Sequence, residues 1–190
     1  ENVGYLVNAV AAILKQHNVG VAHNPSSNMM LASGVAPVVE MLKRGIAVGL
    51  GTDGPAGSNN DFDLMEEMNL AADLQKVATG DPTAVNARQA VDMATILGAR
   101  AIGMEKEIGS LEAGKRADMV MVRIDRPHAV PLYNVYSQLV YALKGSDVQD
   151  VMINGATVVA DGTPARLNSA AILAKAREFQ RSIAASLNRK

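Results

Sequence analysis

Cysteine and tryptophan are absent from the 190 residues, and the remaining aromatics amount to four Tyr and two Phe. Without cysteine there can be no disulfide and no thiolate metal site, although the compartment stays open. Without large aromatics, the core has to be built from Ala, Val, Ile, Leu and the ten Met. A charge excess of either sign is missing too: 18 Lys and Arg face 19 Asp and Glu, for a formal net charge of -1. The basic balance of a nucleic-acid binder is therefore not there. No apolar run reaches the roughly 18 to 20 residues that span a bilayer, and the longest one near the start, residues 3–14, is broken by Asn8. Nothing resembles a signal peptide, so the expectation is a cytoplasmic protein with neither nucleic acid nor membrane as partner. What is present, 48% hydrophobic against 19% charged residues, is enough to bury an ordinary core.

The chain reads first as α/β. Residues 5–17 carry Leu6, Val7, Val10, Ile13 and Leu14 at helical spacing. Residues 19–23 suit a buried strand, which stops at Asn24-Pro25 because proline pushes the preceding residue out of helical geometry. A polar loop follows, then a helix over 35–44 that Gly45 ends, and a second strand over 46–51. Strand, helix and strand in this span form a βαβ unit, so the two strands should be parallel neighbours. Further helices are predicted over 62–78, over 83–93 with Asp81-Pro82 as cap and first turn, and from a Thr95 cap to about Gly103. From Gly109 the texture turns to strands: 119–124, then a hairpin over 151–159 turning at Asn154-Gly155. The resulting division is an α/β portion over 1–110, a small β portion over 111–162, and a terminal helix over 163–190. That helix carries Arg166, Lys175, Arg177, Arg181, Arg189 and Lys190 against Glu178 alone, and reads as a solvated basic face.

In parallel α/β architectures chemistry collects at the carboxyl ends of the strands. Two polar clusters lie there, His23-Asn-Pro-Ser-Ser-Asn28 and Thr52-Asp-Gly54. Asp53 follows an apolar strand, so its carboxylate should face low dielectric, where an ion needs a partner or a metal. A metal ligand, a general base or a cap on the following loop would each satisfy it. His23, at the neighbouring strand end, reads as a hydrogen-bonded wall residue before a ligand. His17 lies at a helix end, and His128 sits in a Pro-flanked loop with no partner suggested by sequence. The acidic group Asp61, Asp63, Glu66 and Glu67 reads as a favourable helix N-terminus. The Met residues read as core filling. One carboxylate and one imidazole do not make a zinc site, which takes three or four protein ligands.

Taken as strings, Val21-Ala-His-Asn-Pro-Ser-Ser-Asn-Met-Met-Leu-Ala-Ser-Gly34, Gly49-Leu-Gly-Thr-Asp-Gly54 and Ser58-Asn-Asn-Asp61 resemble the last barrel segments of the amidohydrolase superfamily. Gly98-Ala-Arg-Ala-Ile-Gly103, Ile108-Gly-Ser-Leu-Glu-Ala-Gly-Lys-Arg-Ala-Asp118 and Val151-Met-Ile-Asn-Gly155 resemble that family's return into its small β-sandwich. Within it, the 5-methylthioadenosine/S-adenosylhomocysteine deaminases and the triazine hydrolases are most similar.

The resemblance implies the C-terminal part of a metal-dependent (β/α)8 TIM barrel plus a partial β-sandwich. It implies one divalent metal, zinc first and iron second, that acidifies the attacking water. Asp53 would be the end-of-strand-eight aspartate that ligates the metal and takes the water's proton. His23 would belong to the seventh-strand motif lining the pocket, and Ser58 and Asn59 to the loop bordering the substrate. The family's His-x-His pair, its fifth-strand His and Glu and its sixth-strand His have no match here. The expectation is thus a chain that begins after six strands, does not retain the metal alone and is inactive by itself. The whole protein is expected to be a homo-oligomer deaminating a nucleoside-like or other heterocyclic amine. The alternatives are hydrolysis of another ring C–N or C–Cl bond, as in a triazine, and a truncated, non-catalytic fragment.

Overall fold

The computed structural model describes residues 2–187, with side chains from residue 9 onward. The side chains of Leu6 and Val7 in the first helix, and Arg189 and Lys190 at the end, lie outside what is described. Helix α1 (Asn2–Gln16) leads to strand β1 (Val21–His23), short helices α2 (Pro25–Met30) and α3 (Val38–Lys43), and strand β2 (Val48–Leu50). The two strands pair in parallel, Val21 with Val48, Ala22 with Gly49 and His23 with Leu50, as a βαβ unit requires. Helices α4 (Leu64–Thr79), α5 (Ala87–Ala94) and α6 (Ile96–Ala101) follow. Helix α6 lies so close to the strands that only glycine fits. A Cβ on Gly20 would come 2.0 Å from the Ala101 carbonyl oxygen, and one on Gly49 2.8 Å from Gly98 Cα.

The core is made of small and medium aliphatics, as the scarcity of aromatics demands. Val38, Ile46 and Val48 meet Met68, Ala71 and Ala72 of α4, Ala90 and Met93 of α5, and Val140. Two of the Met expected as core filling, Met68 and Met93, do this, whereas Met29, Met30, Met119 and Met121 are exposed. Asp63 starts α4, its carboxylate accepting from the Met65 and Glu66 amides, and Gly80 ends it with φ 66°.

Several predicted boundaries change. The polar loop after β1 is helix α2, because Pro25 at its first turn costs no hydrogen bond there. Helix α5 begins at Ala87 rather than near Thr83. Asn86 and Gln89 form a reciprocal capping box, while Asp81 closes a turn by accepting from the Thr83 amide at 2.8 Å. Thr95 precedes α6 without capping it, since its hydroxyl donates back to the Val91 carbonyl at 2.6 Å.

The later part is a four-stranded antiparallel sheet in the order β3 (Met119–Val122), β4 (Val148–Ile153), β5 (Ala156–Ala160), β6 (Thr163–Pro164). The expected hairpin turn lies at Asn154 and Gly155, both at positive φ (49° and 77°), which suits a two-residue turn. Between β3 and β4 runs a short helix, α7 (Val135–Ser137), continued as a π-turn over Gln138–Ala142. Helix α8 (Ser169–Leu187) is exposed along its length, with Lys175 bonded to Glu178 at 2.9 Å and lying over the Phe179 ring. No helix among the described residues is long and apolar enough to cross a membrane.

Candidate active site at the strand ends

Strands β1 and β2 end side by side, joined by the Gly51 amide donating to the His23 carbonyl at 3.0 Å. With its amide nitrogen turned to β2, Asn24 donates to the Gly51 carbonyl at 2.9 Å. The contact is tight enough that a Cβ on Gly51 would lie 2.5 Å from the Asn24 side chain.

Asp53 lies three residues beyond β2, with φ 60°, in the left-handed region where Asp is tolerated better than most side chains. Its Oδ2 accepts from Ser27 Oγ at 2.8 Å and its Oδ1 from the Gly54 amide at 2.7 Å. The Ser58 hydroxyl, then Ser27, then the Gly54 amide hold its carboxyl below the usual carboxylate range. The side chain is exposed, which corrects the expectation of a low-dielectric setting. Hydrogen bonds, not desolvation, set its charge state.

His23 is 2% exposed, and neither ring nitrogen has a hydrogen-bond partner. The expectation of a hydrogen-bonded wall residue is therefore half met: it is a wall residue without the bonds. Burial pushes its pKa from 6.5 down to about 4, so the ring is neutral at pH 7.

Ser58 is half-buried next to Asp53, while Asn59 is buried. The Asn59 Nδ2 donates to the Thr52 carbonyl at 2.8 Å, to Ser26 Oγ at 2.9 Å and to Glu67 Oε1 at 3.3 Å. Its Oδ1 accepts from the Asn60 amide at 2.7 Å. Glu67, on the inner face of α4, accepts from the Ser26 amide at 3.2 Å and from the Ser26 hydroxyl. The acidic group does open α4, with Glu66 and Glu67 in its first turn, but Glu67 is 1% exposed, and burial raises its pKa. Asp63 alone of that group caps the helix. Ser26 and Ser27 belong to the polar cluster read at the strand end but had no role of their own, and Glu67 is the site residue that sequence reasoning missed. The available signal was spacing, because Glu67, Ala71 and Gln75 fall on one buried face of α4.

The other two histidines lie elsewhere. His17 is exposed just past α1. His128 does have a partner, Asp147, at 2.8 Å from Nε2. Among the described residues no group of three or more His, Cys, Asp or Glu could hold a metal ion.

A family model described as the amidohydrolase family matches residues 3–158. A 5-methylthioadenosine/S-adenosylhomocysteine deaminase of Moorella thermoacetica is 52% identical over 171 residues, covering 90% of this chain and 40% of the relative. The crystal structure of an adenosine deaminase from Xanthomonas campestris with bound zinc superposes with a TM-score of 0.89 at 38% identity, covering 94% of this chain and 40% of that one. An atrazine chlorohydrolase from Arthrobacter aurescens complexed with zinc gives a TM-score of 0.76 at 29% identity, covering 85% of this chain and 36% of that one. The chain spans about 40% of the length of the curated relatives it matches.

Proposed function

Because the chain belongs to the amidohydrolase family, we propose that it supplies the Asp53 end of a divalent-metal active site that hydrolytically deaminates an adenosine-type substrate. The observation that carries this reading is Asp53 itself: an ionised, exposed carboxylate at the end of a parallel strand, held by Ser27, Ser58 and the Gly54 amide. In this reading β1 and β2 are the seventh and eighth strands of a (β/α)8 barrel. Residues 1–110 are its closing segment and 111–162, extended by β6, part of a small β-sandwich; the helix expected over 163–190 is α8, which starts only at Ser169.

Asp53 fits a divalent cation as one anionic oxygen ligand, and the remaining ligands would come from outside the described residues. Zinc is the preferred ion because both solved relatives carry it. The ion's chemistry is to lower the pKa of a water to near neutrality. Asp53 would accept a proton from the attacking water and hand it on to the leaving amine. A C–O bond forms at the ring carbon, the exocyclic C–N bond breaks, and ammonia leaves with the proton that Asp53 carried. His23, neutral and buried, forms the wall of the site, and Ser58 lies where it can face the substrate. Asn59 has its amide engaged inside the protein, so its part is to shape the 52–60 loop.

The test is a chimera in which this chain replaces the matching portion of the Moorella thermoacetica deaminase. Ammonia release is assayed with methylthioadenosine, S-adenosylhomocysteine and adenosine, and chloride release with atrazine. Deamination of the nucleosides is expected, with Asp53→Asn losing about 10³-fold in kcat. A chimera that acts on atrazine alone would favour the triazine alternative, and an Asp53→Asn protein of full activity would refute the role of Asp53.

A further inference from the structure

From the buried contacts behind the strand ends we infer that Glu67 is a positioning residue for Asp53, acting through Ser26–Ser27 on one side and Asn59–Thr52 on the other. The inference rests on Asp53 being the working carboxylate of the site. Glu67 reaches Asp53 only indirectly, by holding the segments on either side of it. On the first side, its two oxygens take the amide and the hydroxyl of Ser26. The next residue, Ser27, is 3% exposed and donates its hydroxyl to Asp53 Oδ2 at 2.8 Å. On the second side, Glu67 Oε1 accepts from Asn59, whose same nitrogen donates to the carbonyl of Thr52, the residue before Asp53.

A carboxylate buried to this degree is costly unless several donors meet it, and here three donor groups converge on it. Its own placement is firm, because its neighbour Met68 and the next turn's Ala71 and Ala72 are packed in the core. A rigid helix thus passes its position to the first turn of α2 and to the 52–60 loop. Asp53 needs that support, since its backbone is at positive φ and its side chain is in solvent. Glutamine cannot replace Glu67 here: its amide nitrogen would face one of the three donors.

Amide hydrogen exchange of the 190-residue chain tests this without metal or substrate. The Gly54 amide reports the Asp53 carboxylate, because it donates to Oδ1. Exchange at Gly54 is expected to rise roughly tenfold in Glu67→Gln, as it should in Ser27→Ala, with no further gain in the double variant. Amides in the α4 interior, at Ala71, Ala72 and Gln75, should keep their protection. An unchanged Gly54, an additive double variant, or α4 amides that open together with Gly54 would each overturn the proposal in favour of a merely structural Glu67. Should Glu67→Gln not fold, Ser26→Ala removes one converging donor and leaves the carboxylate; Gly54 must then speed up by itself or the proposal fails. Failure of the deaminase reading would show in the chimera's turnover and leave this exchange result standing.

Discussion

Around the parallel strands β1 and β2, polar side chains are buried and tied to one another: Glu67, Asn59 and Ser27 sit inside beside His23. In the antiparallel sheet β3–β6, even apolar side chains stand in solvent, with Val120 and Met121 each 59% exposed and Ile153 54%. The connection pattern explains the difference. Parallel strands need crossover helices, which cover their faces, whereas antiparallel strands can turn one face outward. The buried polar network is affordable only where helices such as α4 enclose it and every charged oxygen finds a donor. The antiparallel region holds one comparable pair, His128 with Asp147. Burial pushes the Asp147 carboxyl upward, but the bonds from His128 and the Lys144 amide outweigh it and hold its pKa low. That pair fastens the segment between β3 and β4, far in sequence from the strand ends.

Three measurements would break or sharpen this contrast. Met93 is fully buried between α5 and the strands. Met93→Ala should cost about 2 to 5 kcal/mol in urea denaturation, as large-to-small changes in packed cores do. A loss below about 1 kcal/mol would mean the helical layer is looser than its burial implies.

His23 should give a smaller effect, and one confined to acid. Its folded pKa of about 4 lies below the unfolded 6.5. Between those values the unfolded chain takes up a proton that the folded chain refuses. Stability therefore falls as pH drops through that window, by up to about 3 kcal/mol, and the contribution vanishes above it. A His23→Leu chain should lose this part of the slope in a pH series of denaturation midpoints. If both chains show the same slope, His23 does not titrate as its burial demands.

The smallest effect belongs to the antiparallel sheet. Val120→Thr on the exposed edge strand should change stability by no more than about 0.5 kcal/mol. A cost near that of Met93→Ala would show that this face is covered in solution.

Much of the fold was legible because local chemistry and tertiary structure agree. Asn24-Pro25 does end β1, Gly45 at positive φ does follow α3, and Asn154-Gly155 turns the hairpin. Asp53 was legible as a candidate because it is a charge just past an apolar strand, although a cap on the following loop suited the sequence equally well. The misses share a cause. Helix α2 was hidden by polar residues that also suit loops, and β6 is only two residues long. The start of α5 was drawn to Asp81-Pro82, a plausible cap that lost to the capping box at Asn86.

The sequence by itself determined the α/β order of elements, the aliphatic core forced by missing aromatics, and the family strings that surround His23 and Asp53. It also determined that cysteine could take no part and that three histidines are all the chain can offer. Only the tertiary structure decided which carboxylate is dry and which is wet. Asp53, at the strand end, is exposed and held by hydrogen bonds, while Glu67, in the acidic run that opens α4, is buried. The reason is geometric: burial depends on which face of α4 meets the strands, and hydrogen bonds spanning 33 and 41 residues leave no periodic trace along the chain.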